Sequence, residues 1–225
     1  MTDRVAAITG AHGVLGRAVV EAAMAEGLKV ALIDHARGAS TPHGALELSG
    51  IDLSDAAQAR SAMETASATF GRLEIVLKIA GGFVWQKVDD AEPAWDRMVA
   101  INVKTALNAA RAALPWLTQS PGGRIGNVGS AAALKSGVGM AAYTASKSSV
   151  HRLTESLAEE LKDTPVTVNA VLPSIIDTPA NRKDMPDADP SRWVAPADLA
   201  AVILFLASPA SRAMTGALVP VTGRV

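Results

Sequence analysis

Apolar residues along the chain fall into short continuous runs separated by longer stretches with helical spacing. Arg4 to Thr9 (RVAAIT) reads as a short buried strand that runs straight into Gly10. A helix pattern follows, with Leu15, Val19, Ala22 and Ala23 on one stripe and a stop at Gly27. Lys29 to Ile33 is a second apolar run. Strand, glycine turn, helix and strand within about thirty residues make a βαβ unit and imply a parallel sheet.

The pattern continues in the same way. Ser40 to Gly44 is loop-like, and no full helix fits before a third strand, Ala45 to Ile51, which ends in Asp52 and Leu53. Ser54 or Asp55 caps the next helix. Leu73 to Ile79 is a fourth strand running into Ala80, Gly81 and Gly82. The spacing then predicts a long helix from about Ala91 to Leu117, with Trp95, Val99, Ala106, Ala110 and Leu117 on one stripe and Asn102 inside it. Arg124 to Val128 is a fifth strand. The helix after it starts near Gly139 and carries Val150, Leu153, Leu157 and Leu161 as its apolar line. Val166 to Leu172 and Ala217 to Val221 are the sixth and seventh strands, with a helix from Pro196 to about Ala207 between them. The expected fold class is α/β, a doubly wound, mostly parallel sheet of seven strands with helices on both faces. Repeats and linkers are absent, so residues 1–225 read as one domain with a proline-rich substrate loop at about 174–195.

Composition narrows the class of function. A chain with 49% hydrophobic and 19% charged residues suits a soluble globular protein rather than a disordered one. The formal net charge of −1 gives no reason to expect nucleic acid or an anionic membrane as partner. The chain has no cysteine, which excludes disulfides, thiolate metal sites and a cysteine nucleophile, and no metal site is expected. The N-terminus shows no basic-then-apolar leader, and no apolar run approaches the ~18 residues that span a bilayer. A cytoplasmic address is the expectation.

Candidate chemistry gathers where strands end. The turn Gly10-Ala11-His12-Gly13-Val14-Leu15-Gly16 would let backbone approach a pyrophosphate at a helix N-terminus, although glycines at this spacing also make a plain tight turn. Asp34 ends the second strand, where a carboxylate accepts hydrogen bonds from ribose hydroxyls and repels a 2′-phosphate; capping a turn is the alternative. Asp34 therefore favours NAD(H), while His12, His35 and Arg37 leave NADP(H) admissible. Ala80 to Gly82 is either a ligand approach or a turn. Asn102 either satisfies a neighbouring backbone group at a bend or holds a water or a lysine in a proton relay. Ser130 lies just past the fifth strand. Tyr143 and Lys147 are four residues apart, on one face of a helix. A phenol titrates near ~10, and a neighbouring ammonium lowers that value, which makes the tyrosine a usable general acid or base. His151, on the same helix, reads as a surface or interface residue without chemistry.

Taken in order, TGAHGVLG (Thr9 to Gly16), DL at Asp52 and Leu53, AGG (Ala80 to Gly82), IN at Asn102, NVGS ending at Ser130, YTASK (Tyr143 to Lys147) and VNAVLPSIIDTP (Val168 to Pro179) resemble the short-chain dehydrogenase/reductase family along essentially the whole chain. The resemblance implies a Rossmann-like sheet and hydride transfer between a nicotinamide cofactor and a small carbonyl or alcohol. It implies Tyr143 as the acid/base, Lys147 as the group that tunes it and binds the nicotinamide ribose, Ser130 as the group orienting the substrate oxygen, and Asn102 as part of a proton relay. Asp52 would lie by the adenine and Ile176 and Thr178 by the nicotinamide carboxamide, with Leu53 and Pro173 also among the cofactor-binding residues. A homotetramer or homodimer is implied as well. Val14 stands where the family turn usually has glycine, AGG replaces NAG, and Pro173-Ser174 replaces PG. These departures, the missing helix after the second strand, and the stretch Asp177 to Asp189 with Trp193 resemble the dihydropteridine reductase branch. An NADH-dependent quinonoid dihydropteridine reductase is thus the alternative. A non-catalytic NAD-binding sensor or scaffold is a further alternative, disfavoured because Asn102, Ser130, Tyr143 and Lys147 are all present.

Overall fold

A computed structural model describes residues 3–38, 40–90 and 94–225. Its centre is a seven-stranded sheet formed by β1 (Val5–Thr9), β2 (Lys29–Asp34), β3 (Leu46–Ser49), β4 (Ile75–Lys78), β5 (Arg124–Val128), β6 (Thr167–Pro173) and β7 (Leu218–Val221). The order is β3-β2-β1-β4-β5-β6-β7. Every pairing is parallel. The helices are α1 (Val14–Ala25), α2 (Ala56–Phe70), α3 (Ala94–Met98), α4 (Thr105–Leu117), α5 (Ala141–Glu160), α6 (Pro179–Asp184) and α7 (Pro196–Ala207).

The two faces of the sheet arise from the period-two alternation of a strand. Ala6, Ile8, Val30, Leu32, Ile75 and Leu77 face α1 and α7, whereas Val5, Ala7, Ile33, Val76, Ile125 and Val168 face α2, α4 and α5. Because both faces are covered, the central strands are apolar throughout, which is why they read as continuous runs. Asp55 caps α2, its carboxylate accepting from the N–H groups of Ala57 and Gln58. Gly71 closes the same helix in the left-handed conformation at φ 77°. Among the described residues, no helix stands between β2 and β3, in keeping with the sequence reading, and none is long and apolar enough to cross a membrane.

One expectation is corrected. The long helix expected from Ala91 begins outside the described residues, and from Ala94 to Leu117 it is not one regular stripe. A π-helical turn at Val99–Lys104 separates α3 from α4. The wider turn shifts the helix face, so Ala94, Met98 and Asn102 turn inward with Ala106 and Ala110, while Trp95 and Val99 are exposed. Leu157 on α5 and Leu161 at its C-cap, both on the expected apolar line, pack into the core. The loop at 174–195 contains α6 and a 3-10 turn at Pro190–Arg192, and a bridge between Ile176 and Val194 ties its two ends.

One core position is unexpected. Lys78, the last residue of β4, is buried, and its ammonium donates to the Ala106 carbonyl at 3.0 Å. Burial draws its pKa down to about 7.

Candidate active site

The strand order reverses direction between β1 and β4, and the crevice outside their carboxyl ends is where open parallel sheets bind ligands. The sequence-predicted residues are brought to this edge. Gly10 follows β1 at φ 64°, with its N–H donating to the Ile33 carbonyl at 2.9 Å. A methyl group there would lie 2.7 Å from the Ala80 backbone, and one on Gly16 would lie 2.0 Å from the Gly10 carbonyl oxygen. The turn is therefore closed by backbone-to-backbone contact. Gly13 is the N-cap of α1 and supplies no side-chain cap, which leaves the leading N–H groups of Val14, Leu15 and Gly16 for an anion.

Asp34 reaches back into this turn. Its carboxylate accepts from the His12 N–H at 2.9 Å and the Ala36 N–H at 3.0 Å. The His12 ring meets Glu47 at 2.7 Å, and Thr41 and Ser49 also donate to that carboxylate. Burial acts to raise the Glu47 carboxyl, but the hydrogen bonds from Ser49, His12 and Thr41 outweigh it and hold it below the usual value. Glu47 is a residue that the sequence reading missed; a glutamate in a short edge strand looks like an ordinary solvated position. His35 and Arg37 are exposed. Asp52 is exposed and engages its own turn, accepting from the Ser54 N–H and hydroxyl at 2.8 and 2.7 Å, while Leu53 is buried.

At the other end of the crevice, Asn102 sits in the π turn, buried, with its amide fully engaged. Its Oδ1 accepts from the Gly82 N–H at 3.0 Å, and its Nδ2 donates to the Gly82 carbonyl and to the Ser146 hydroxyl, each at 3.0 Å. These bonds satisfy the Gly82 backbone, one of the two roles the sequence allows. Asn102 ties the glycine segment after β4 to α5. A methyl group on Gly81 would lie 2.6 Å from Asn102 Oδ1 and 3.3 Å from Lys147 Nζ, so both polar groups line one small space.

Tyr143 and Lys147 lie on α5 as the spacing predicts. The Lys147 ammonium is buried and donates to the Val128 carbonyl at 2.9 Å; burial lowers its pKa to about 8. The Tyr143 ring packs edge-on against Phe83, with centroids 4.9 Å apart. Burial raises the phenol above its ordinary value, and a hydrogen bond with Ser130 acts the other way. Desolvation is the larger influence, and the amine is turned toward Val128. Ser130 is buried, and its Oγ accepts from the Ala132 N–H at 3.2 Å, which leaves its own proton to donate.

His151 overturns its sequence reading. It is 2% exposed, and its Nε2 accepts the backbone N–H of Ser130 at 3.3 Å. A histidine between Val150 and Arg152 gives no periodic signal, and the partner that holds it is a backbone group. Pro173 ends β6, buried, opposite Val221. Ile176 is half-buried in the bridge to Val194, and Thr178 caps α6, accepting from the Asn181 N–H at 3.1 Å. Across the same loop Arg182 holds Asp177 with two bonds, at 2.6 and 2.8 Å.

A doubly wound sheet with a glycine turn, a carboxylate at the end of β2 and a Ser-Tyr-Lys cluster at its carboxyl edge is the arrangement of a dinucleotide-linked oxidoreductase class. The short chain dehydrogenase family model matches residues 4–189, and the chain belongs to that family. It is 32% identical over 246 residues to 2-(S)-hydroxypropyl-CoM dehydrogenase 3 of Xanthobacter autotrophicus, spanning 99% of this chain and 96% of that protein. Among solved structures it superposes on the aldohexose dehydrogenase of Thermoplasma acidophilum with a TM-score of 0.90 at 25% identity, covering 99% of this chain and 94% of that one. It also superposes on a short-chain, glucose/ribitol-type dehydrogenase of Brucella melitensis at 0.91 and 28%, covering 99% and 96%.

Proposed function

We propose that the protein transfers hydride between NAD(H) and a small carbonyl or alcohol, with Tyr143 as the acid/base. The observation that carries this reading is the cluster of buried Ser130 and Lys147 with half-buried Tyr143 at the carboxyl edge of the sheet, a costly arrangement for a chain that needed only to fold. The nucleotide fits the residues present: uncapped N–H groups of α1 suit a pyrophosphate, and Asp34 suits ribose hydroxyls.

Bound nicotinamide would supply or accept the hydride. The Gly10–Gly16 turn would hold the pyrophosphate, Lys147 the nicotinamide ribose, and Ile176 and Thr178 the carboxamide side of the crevice. In reduction, Tyr143 gives its proton to the substrate oxygen. A phenol whose pKa is raised by burial is protonated at neutral pH, the form this direction requires. Ser130 donates its hydroxyl proton to the same oxygen as charge develops there. Lys147, one turn further along α5, would supply the positive charge that favours the phenolate, and Asn102 keeps Gly81 and Gly82 in place beside that charge. Asp34 and Glu47, both bonded to His12, place two carboxylates at the ribose end, which supports NAD(H) over NADP(H). A homotetramer or homodimer belongs to the same reading, supported by the family.

Ser130 favours the carbonyl chemistry over the pteridine alternative, as do the dehydrogenase names of the relatives above. The test is NADH oxidation, with NADPH in parallel, against small ketones, 3-oxoacyl thioesters and quinonoid dihydropterin. We expect turnover with a carbonyl, and NADH preferred at least about tenfold, equivalent to about 1.4 kcal/mol of discrimination. Turnover with the pterin alone would transfer the chain to the other branch, and absence of NADH binding would remove the reading altogether.

A further inference from the structure

We propose that His151 is a positioning residue for Ser130, its neutral imidazole holding the Ser130 backbone N–H and so fixing the direction in which the serine hydroxyl meets a substrate oxygen. The proposal rests on the reading of Ser130 as the group that orients that oxygen. Tyr143, Lys147 and His151 succeed one another at four-residue spacing on α5, so they form a single stripe along a rigid element. Lys147 takes the Val128 carbonyl at 2.9 Å and His151 takes the Ser130 N–H at 3.3 Å. The helix thereby grips the end of β5 on both sides of Gly129, whose own N–H is held by the Val171 carbonyl at 2.9 Å.

Gly129 makes the grip feasible. A methyl group there would lie 2.5 Å from His151 Nε2 and 2.6 Å from Leu172 Cδ2, so any side chain would push the imidazole off the Ser130 amide. Ser130 is itself extended, at φ −162° and ψ 138°, with its hydroxyl oxygen engaged by Ala132. Its peptide plane is thus fixed from the imidazole side and its side chain from the other.

The imidazole can accept only when Nε2 is unprotonated. Burial lowers the His151 pKa below its ordinary value, and the charges of Arg152 and Lys147 add to that effect. These two cations lie on α5 itself, and the contacts on β5 and β6, Ser130 and Leu172, are uncharged. At neutral pH the ring is therefore neutral and the Ser130 N–H is held. As pH falls through the depressed pKa the ring gains a proton, the acceptor is lost, and Ser130 is released.

The test tracks the Ser130 amide and His151 ring resonances of the full chain by NMR from about pH 8 to about pH 5. The Ser130 amide is expected to shift with the midpoint of the ring, below 6.5, and to lose that transition in His151→Leu. In turnover, His151→Leu is expected to lower kcat by about 10- to 100-fold with little change in the KM for NADH. His151→Gln, whose side-chain oxygen can accept, should recover kcat to within about fivefold and lose the acid limb of the wild-type pH profile. A Ser130 amide indifferent to the ring's titration would overturn the proposal, as would a His151→Leu enzyme with wild-type kcat and acid limb. If the leucine variant does not fold, the wild-type amide titration decides alone. Failure of the broader reading looks different: Tyr143→Phe would remain active, or no carbonyl would turn over, whatever the amide does.

Discussion

Tyr143→Phe is expected to lower kcat by about 10³-fold or more while leaving NADH affinity within about twofold, since a positioned acid/base group contributes roughly 10²- to 10⁴-fold and the proposal makes this phenol the proton donor to the substrate oxygen. The change removes one oxygen and keeps the ring. The edge-on contact with Phe83 at 4.9 Å therefore survives, and the fold and cofactor cleft should be undisturbed. Steady-state kinetics with a carbonyl substrate and a fluorescence titration with NADH separate the two effects. A phenylalanine variant that kept more than about one-tenth of wild-type kcat would remove Tyr143 from the proton transfer.

Lys147→Met is expected to act in opposite directions on activity and stability. Activity should fall by about 10²-fold or more, with weaker NADH binding, if the ammonium has the roles proposed for it toward the phenolate and the nicotinamide ribose. Stability should rise at neutral pH. The lysine has a folded pKa of about 8 against an ordinary 10.5. Between those values the unfolded chain binds a proton that the folded chain does not, so stability from this group increases as pH rises through the window. Below about pH 8 both states carry the proton and the cost of burying it is constant. A displacement from 10.5 to about 8, at about 1.4 kcal/mol per pH unit, corresponds to about 3 kcal/mol. The methionine variant, free of that cost, should unfold at a higher denaturant concentration at pH 7 than wild type. It should also show a smaller rise in stability from about pH 8 to about pH 10.5, with Lys78 supplying what remains. A loss of stability at pH 7 would show that the Val128 hydrogen bond outweighs the burial of the charge.

The contrast between Lys147 and Lys78 shows what a sequence discloses. Lys147 could be picked out because it stands four residues from the only tyrosine in the chain. Lys78 could not, because a lysine at the end of an apolar run looks like one that emerges into solvent, and only the close approach of α4 buries it. The βαβ entry was legible for simple reasons: an apolar run cut off by glycine, a 3.6-residue stripe, and a carboxylate at the end of the next run. The π turn at Val99–Lys104 was not, since an inserted residue leaves composition unchanged and shows only as a stripe that fails to close, with Trp95 and Val99 turned outward. The engagement of Asn102 with Gly82 and Ser146 depends on that turn and was out of reach for the same cause. His151 and Glu47 mark a second kind of limit. Each is held by partners far away in sequence, the Ser130 amide and the His12 ring, and no local pattern announces such a pairing.

The central claim is that hydride moves between nicotinamide and a carbonyl carbon in the crevice above β1 and β4. The most direct test supplies NADH carrying deuterium at nicotinamide C4 together with a ketone that the protein turns over, and locates the label by mass spectrometry and NMR. The expected result is one deuterium on the carbinol carbon of the product, formed by the wild type and not by Tyr143→Phe. With both C4 hydrogens replaced by deuterium, so that either face of the ring delivers label, product alcohol without label, or NADH consumed with no alcohol formed, would contradict the claim.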